Sequence, residues 1–421
     1  MLGSIKKLLY FPIAGYFRFF AKIKLARWKP RVVVITGSAG KTTTMNLAIA
    51  QLRENATYSH HANSSFGIPF NILGIHRETL QKLEWINIFL SAPIKAFSSV
   101  PRQKIYVVEA DCDRPNEGIF LSEFLKPEVT IWLSSSRTHS MNFDYLVSSG
   151  KFKNVEEAIA YEYGYFLENT SKLVIINSDS DLIMSQLIRS KADVIKVTEK
   201  SLKSYKVSTG GTEYQLKNDI YKFRFLLPRA ISYSISAILE LTNYLGFSFD
   251  DKFDKFDIPP GRSSIFEGVK NTTIVDSCYN SSFSSATEII NMFNLIKADN
   301  KWAVIGDMLE QGEEEKEEHE KLAKLVVKSD YEKVILLGPR IKKHGFSILE
   351  NHYGKNVVSF VSPKDVLDYL TVNIKGGETI LFKGARFMEG IIENILKNKQ
   401  EASKLSRREK IWEIRRKQWG L

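Results

Sequence analysis

The stretch Val32-Val33-Val34-Ile35-Thr36-Gly37-Ser38-Ala39-Gly40-Lys41-Thr42-Thr43, continuing through Thr44 and Met45 to Leu52, decides the fold. A β-branched apolar run stops at Gly37, and a helical pattern with Met45, Leu47, Ala48, Ile49 and Leu52 as its apolar members follows. That order reads as a buried strand, a tight loop and a helix N-terminus. In such a loop small residues turn successive backbone N–H groups toward an anion, which the helix N-terminus also attracts. Gly37, Ser38, Ala39, Gly40 and Thr43 supply the cradle, Lys41 neutralises terminal phosphates, and the Thr42 hydroxyl reaches a magnesium ion. The Gly37-x-x-Gly40-Lys41-Thr42 spacing is shorter than the usual phosphate-loop pattern, yet the strand before it and the helix after it favour a nucleoside triphosphate site over an ordinary turn.

Outward from this loop, 421 residues provide for two or three domains with their own cores. The composition, 43% apolar and 25% charged, is that of a globular protein. Cys112 and Cys278 are too few and too far apart for a disulfide framework or a cysteine metal site, so a reducing, cytoplasmic setting is expected. The formal net charge of +11 favours anionic partners. No motif for reading base edges accompanies it and much of it lies at the two ends, so no specific nucleic acid is expected.

Residues 1–29 mix Leu8, Leu9, Phe11, Phe17, Phe19 and Phe20 with Lys6, Lys7, Arg18 and Lys22. The apolar part is too short to span a bilayer. Two readings stand: a segment lying on an anionic membrane surface, peripheral on its inner face and burying Leu8, Phe11, Phe17 and Phe20, or a helix packed on the protein or a second subunit. From Arg31 the chain alternates short strands with helical stretches, with strands expected at Val32–Thr36, Ile105–Glu109, Val129–Leu133, Leu173–Asn177 and Val194–Val197. This is the rhythm of a mostly parallel sheet. Glu213–Leu227 alternates as antiparallel strands do, and Ile231–Leu245 reads as a helix closed by Gly246. After a junction at Asp257–Arg262, a second series begins at Thr273–Asp276, Trp302–Gly306, Val334–Gly338, Val357–Val361 and Thr379–Lys383. The expected divisions are 1–29, 30–262, 263–396 and a basic tail, 397–421, that joins an anionic surface or remains a solvated end.

Several strands end in polar groups, where open α/β sheets bind ligands. Glu109 ends one strand, with Asp111 and Asp113 after it, and can bind magnesium across from Thr42 or pair with Arg114. His139 lies beyond another strand, and Asn177 closes a third. In the second series Asp276 is followed by Ser277-Cys278-Tyr279-Asn280, Gly306 opens Asp307-Met308-Leu309-Glu310-Gln311-Gly312, and Lys383 opens Gly384-Ala385-Arg386.

Together these stretches, with Asn63-Ser64-Ser65-Phe66-Gly67-Ile68-Pro69 and His319, resemble the Mur ligases over roughly Lys29 to Leu396. The resemblance implies an α/β fold in which a phosphate-loop central ATPase domain precedes a Rossmann-like C-terminal domain. It implies a ligase that uses ATP and Mg2+ to convert an acid to an acyl phosphate, which an amine attacks to form an amide. The acceptor would be an anionic peptidoglycan-precursor-like molecule and the amine an amino acid or dipeptide. By the same resemblance Lys41 and the loop hold phosphates, and Thr42, Glu109 and His139 stand at the metal. Asn177, Arg262, Asp276 and Asn280 contact the nucleotide, and Lys383 and Arg386 serve the incoming substrate.

Three departures qualify the resemblance. Arg31 opens the phosphate strand so early that the family's N-terminal UDP-sugar domain is expected to be lacking, which leaves as acceptor a lipid-linked precursor or another acid altogether. Tyr163, in Ala160-Tyr161-Glu162-Tyr163-Gly164, stands where the family has a lysine that forms a metal-bridging carbamate, which a phenol cannot form. Pro228–Ser234 lacks the family's histidine and asparagines, and the segment after Asn280 lacks its proline. These losses leave open a regulatory or partner-dependent subunit that retains ATP without independent ligation.

Overall fold

The five residues Val32 to Thr36 are all buried, as a central parallel strand covered on both faces requires. In the computed structural model, which describes residues 8–60, 62–76, 84–384 and 387–421, they belong to strand β1 (Arg31–Thr36). β2 (Thr57–Tyr58), β3 (Ile105–Ala110), β4 (Val129–Trp132), β5 (Leu173–Asn177) and β6 (Asp193–Val197) join it. The order is β2-β3-β1-β4-β5-β6, parallel throughout. The chain builds to opposite sides of β1, so the loop after β1 opens at the switch in strand order, where such sheets bind ligands.

The chain divides into two compact units. The first holds this sheet and comprises residues 1–136, 145–199 and 233–256; the second comprises 137–144, 200–232 and 257–421. The second has a three-stranded antiparallel sheet, β7 (Leu202–Ser208), β8 (Gly211–Leu216) and β9 (Asp219–Phe223). Its larger sheet has the order β10-β11-β15-β12-β13-β14. Here β10 (Ser264–Glu267) is antiparallel to β11 (Thr273–Ser277), and β12 (Lys301–Gly306), β13 (Lys333–Leu337), β14 (Val357–Phe360) and β15 (Thr379–Lys383) run parallel. Alternation along these strands sorts the core: Val275, Ala303, Ile305, Leu336 and Leu381 enter one apolar cluster, and Ile274, Trp302, Val304, Ile335 and Phe382 the other. Two buried faces explain why the strands read as continuous apolar runs.

The helix Tyr10–Trp28 packs one of its faces on the first unit. Its buried members, Ala14, Phe17, Ala21, Lys24 and Trp28, recur at the three- and four-residue spacing of one helix face. Phe17, expected in a lipid-facing set, is fully buried against Phe70 and Phe89, with ring centroids 4.8 Å and 5.0 Å away. Full burial of a side chain that size contributes about 1.5–3 kcal/mol to folding, which fixes the helix's orientation on the first unit. The Lys24 ammonium donates to the Leu73 carbonyl at 3.3 Å and to Ser98 at 3.1 Å, so a cation sits inside the buried stripe. The neighbouring helix Glu84–Ala96 contains Pro93, whose missing N–H leaves the Phe89 carbonyl without its helical donor. The Tyr16 hydroxyl takes that place, donating to Phe89 O at 2.9 Å. Lys6 and Lys7 lie outside the described residues.

The basic tail is likewise docked rather than solvated along its length. Leu405 is buried in the second unit's core and Arg416 is buried beside Glu389. Lys404, Lys410, Arg415 and Lys417 remain exposed. Among the described residues no helix is long and apolar enough to cross a membrane.

Candidate functional site

In the first unit the loop after β1 is anchored from β4. Gly37 has φ +126°, and a Cβ there would lie 2.6 Å from the Ser134 carbonyl oxygen, so only glycine fits. Ser38 N donates to that oxygen at 3.1 Å. The Ser134 hydroxyl accepts from Ala39 N at 2.8 Å and donates to Ala39 O at 2.7 Å, and the Ser38 and Ser136 hydroxyls meet at 2.9 Å. Gly40, at φ +78°, turns the chain into the helix Lys41–Leu52, whose N-terminal amides lie at the loop. Residues 37–43 thus form a braced turn into a helix N-terminus, with Ser134 as a brace that sequence reading did not single out.

Lys41 is buried and its ammonium meets Asp111 Oδ2 at 2.8 Å and the Gly37 carbonyl. Burial alone would push that ammonium down, but the Asp111 and Glu109 carboxylates outweigh it and hold Lys41 above its ordinary range. Thr42 donates to Glu109 Oε1 at 3.2 Å, so the hydroxyl and carboxylate expected at a metal stand together. Glu109 does not pair with Arg114, which instead approaches Glu117 at 3.7 Å. Carboxylate oxygens of Asp111 and Asp113 come within 4.8 Å of one another. Three carboxylates and one lysine leave an excess of negative oxygen donors, a set that suits a hard divalent cation such as Mg2+. Thr42 and Glu109, with Asp111 and Asp113 beside them, are the residues of this unit that would hold it.

Tyr163 is fully buried on the helix Val155–Glu168, where its hydroxyl donates to Asp111 Oδ1 at 2.7 Å. Burial, then the Asp111 charge, pushes this phenol well above its ordinary value, so it is a permanent donor. The phenol therefore stands beside the lysine–carboxylate pair, orienting Asp111 rather than supplying a ligand charge. Asn177 ends β5 and is spent locally, donating to Leu133 O at 3.0 Å and accepting from Asp179 N at 2.9 Å.

The other expected residues stand in the second unit. His139 belongs to its segment 137–144, where Nδ1 meets Glu310 Oε2 at 2.6 Å. Arg137 pairs with Glu314 at 2.7 Å, and Asp144 accepts from Glu313 N at 3.1 Å. This segment thereby clasps the Gly306–Gly312 loop. The same loop is tied down from behind: Asp307 Oδ1 accepts from Arg340 N at 3.0 Å and Ile341 N at 2.8 Å, capping the helix Pro339–Tyr353. His319 is fully buried; Nδ1 lies 2.7 Å from the Glu315 carbonyl and Nε2 accepts from Met308 N at 3.1 Å. That pairing assigns the proton to Nδ1 and a neutral ring.

Burial lowers the His319 pKa below its ordinary value. The unfolded chain thus binds a proton that the folded one refuses, and the neutral histidine's contribution, complete above about pH 6.5, is lost as pH falls below it. Thermal melts are expected to show a steeper decline from pH 7.5 to pH 5.5 in the native protein than in His319→Leu. Equal slopes would show that this ring does not set the acid response.

Asp276, on β11, is fully buried; Oδ1 accepts from Cys278 N at 3.1 Å, while Oδ2 has no hydrogen-bond partner among the described residues. Burial raises its pKa. Such an unsatisfied buried oxygen is costly to leave and suits a ligand donor. The Lys383 ammonium, buried at the end of β15, donates to Asn280 O at 2.8 Å and Ser285 Oγ at 3.2 Å. Burial, reinforced by the Arg262 charge, brings its pKa to about 7. The Arg262 guanidinium lies 4.9 Å from the Tyr279 ring centroid, and Asn280 is exposed, its side chain accepting from Ser281 N at 2.9 Å. Arg262, Asp276, Asn280 and Lys383 are therefore brought together. Arg386 lies outside the described residues.

One partner of this cluster carried no sequence motif. Arg407 donates to the carbonyls of Cys278, at 3.4 Å, and of Tyr279. Its guanidinium also lies 3.6 Å from Glu389. The tail thus braces the 276–280 turn.

Residues 261–386 match the family model "Mur ligase, glutamate ligase domain". The chain is also similar to the UDP-N-acetylmuramoyl-tripeptide–D-alanyl-D-alanine ligase of Buchnera aphidicola, 25% identical over 411 residues, spanning 92% of this chain and 80% of the relative. Among solved structures, the MurF ligase of Thermotoga maritima in complex with ADP superimposes with a TM-score of 0.71 at 21% identity, covering 92% of this chain and 84% of that one. A Mycobacterium tuberculosis folylpolyglutamate synthase matches with a TM-score of 0.58 at 13% identity over 90% of this chain and 93% of its own. The fold is that of these ligases: an α/β phosphate-loop domain followed by a Rossmann-like Mur ligase domain.

Proposed function

We propose that this chain is an ATP-dependent ligase that forms an amide between a peptidoglycan-precursor-like acid and an amino-acid or dipeptide amine. Within the Mur ligases, it resembles the D-alanyl-D-alanine-adding enzymes. The observation that carries the reading is the buried Lys41–Asp111 pair beside Thr42–Glu109 at the mouth of β1. A triphosphate entering the cradle would draw the Lys41 ammonium from Asp111 and Gly37 O onto phosphoryl oxygens. Mg2+, held by Thr42 and Glu109, supplies charge neutralisation when bound. The acceptor carboxylate oxygen forms its bond to the γ-phosphorus as the bond to ADP breaks; the amine then attacks the carbonyl carbon, and phosphate leaves. Lys41 stabilises the charge that builds on the phosphoryl oxygens. In this reading residues 30–262 are the ATP-binding domain and 263–396 the C-terminal domain, where Asp276, Asn280 and Arg262 serve the nucleotide and Lys383 and Arg386 the incoming substrate, with His139 at the metals. An anion brought near Lys383 favours its charged form, and a pKa of about 7 makes that proton uptake accessible at neutral pH.

The test is phosphate release measured together with amide formation, on soluble and lipid-linked precursors with alanine, D-alanyl-D-alanine and other amines. Stoichiometric phosphate and amide support the ligase. Nucleotide binding with no substrate-dependent phosphate across the panel favours a regulatory or partner-dependent subunit instead, the reading that Tyr163 supports by taking the place of the carbamate-forming lysine. For a ligase with Tyr163 there, turnover is expected to be the same in bicarbonate-depleted and bicarbonate-supplemented buffer. A rate that rises with bicarbonate rejects this role for the phenol.

A further inference from the structure

We propose that the face formed by the helices Tyr10–Trp28 and Glu84–Ala96 docks the first unit on an anionic lipid bilayer.

The helix Glu84–Ala96 buries Ile88, Ala92 and Ala96 along one side. Its other side carries Ile86, Leu90 and Ile94, followed by Phe97, at the spacing of one helical stripe. Leu90, Ile94 and Phe97 are 67%, 73% and 66% exposed. The partner helix repeats the arrangement: Leu8, Pro12 and Phe19 are exposed along one line, with Lys22 continuing it. The two helices are fastened to each other by the Tyr16–Phe89 hydrogen bond and the Phe17–Phe89 contact, so they present their stripes as one packed pair. Large side chains aligned in this way exceed the scattered apolar exposure of a globular surface and mark an interaction site.

Charge selects the occupant. No Asp or Glu occurs from Leu8 to Arg53 or from Trp85 to Val108, so Glu84 is the lone acid of the two helices. Lys22, Arg27, Lys29, Lys95 and Arg102, on these helices or in the chain just after them, are exposed. The crowding is felt within the unit: burial first, then Lys95 and Arg27, lowers the Lys24 pKa. A second copy meeting this face by two-fold symmetry would oppose like charges with like. An apolar stripe accompanied by exposed cations fits lipid tails and anionic headgroups at an interface. The surface differs from the set that the N-terminal sequence suggests, because Phe17 serves the core and the Glu84–Ala96 helix supplies the larger apolar stripe.

The full chain is tested by co-sedimentation with phosphatidylglycerol/phosphatidylcholine vesicles and with phosphatidylcholine vesicles. Binding is expected to the anionic vesicles and to weaken with salt. Leu90→Glu/Ile94→Glu is expected to reduce it by roughly tenfold or more, since two buried aliphatic side chains are lost from the contact. Lys22→Glu/Lys95→Glu is expected to weaken the salt dependence with the melting temperature unchanged. All four positions are exposed, so circular dichroism and melting of the variants should match the native protein. The proposal is overturned by native protein that leaves anionic vesicles unbound or by undiminished binding of Leu90→Glu/Ile94→Glu. Sedimentation equilibrium that shows a dimer dispersed by those substitutions also overturns it, assigning the face to a second copy. None of these readouts depends on ligation, so the ligase reading stands or falls separately.

Discussion

Lys41→Ala is expected to lower substrate-dependent phosphate release by about a hundredfold or more, the usual consequence of losing one preorganised contact to a developing charge. The geometry adds a second effect that the assay must separate. Lys41 and Asp111 have side chains 8% and 10% exposed, so removing the cation leaves a buried carboxylate facing Glu109 and Asp113. Breaking such a pair costs about 3–5 kcal/mol when nothing replaces the partner. Tyr163 still donates to Asp111, which offsets part of that loss. Lys41→Met/Asp111→Asn removes both charges together and is expected to regain stability over Lys41→Met alone while turnover stays low. Chemical denaturation and phosphate release on the three variants complete the comparison. Native-like turnover in Lys41→Ala would show that the phosphate loop is not the reacting site. Recovery of turnover in the double variant would show that the single change acted through folding.

The central strands of both sheets were legible because their two faces are buried and they read as nearly unbroken apolar runs, whereas β6 and β14 are largely unburied and were legible from their Val and Ile residues alone. β2 and β10 were not, since Thr57–Tyr58 is too short for a pattern and Ser264–Glu267 has only Phe266 fully inside. The cradle from Gly37 to Thr43 and the Thr42–Glu109 pair were readable for a local reason: loop, helix start and strand end each have their own chemistry. Asp111 as the partner of Lys41 was out of reach, because proximity across the sheet, not spacing along the chain, makes that pair. The N-terminal helix misled in a specific way. Aromatic residues occupy several of its faces, and the stripe that packs contains Lys24, which pattern reading assigns to solvent. Only the acceptors Leu73 O and Ser98 Oγ make that burial tolerable. The Glu84–Ala96 helix drew no reading from its sequence, since apolar residues occupy both of its sides: Ile88, Ala92 and Ala96 are buried while Ile86, Leu90 and Ile94 are exposed.

Glu389→Ala is expected to destabilise the second unit by about 3–5 kcal/mol, the largest stability effect expected from the tail. Glu389 opens the helix Met388–Ile395, is fully buried, and its two oxygens lie 3.6 Å from Arg407 and 3.6 Å from Arg416. Neither oxygen accepts a hydrogen bond among the described residues, and burial raises its pKa despite the two cations. The carboxylate acts as a counter-charge, holding two arginines that themselves organise the chain. Arg416 donates to the Arg407 carbonyl at 2.6 Å, and Arg407 donates to the carbonyls of Cys278 and Tyr279. Gly390 makes the approach possible, since a Cβ there would lie 2.8 Å from Arg416 Cδ. Removing Glu389 therefore strands two cations in a poorly solvated place and loosens the turn that carries Asp276 and Asn280. Glu389→Gln keeps the shape without the charge, so its loss of stability is expected to fall between native and Glu389→Ala. Arg407→Ala leaves Arg416 to satisfy Glu389 and is expected to cost less stability while weakening nucleotide affinity through the freed turn. Denaturation curves and nucleotide titrations of the three variants separate these effects. Native stability in Glu389→Ala would mean that solvent already screens the tail arginines, and the brace on the 276–280 turn would have to come from elsewhere.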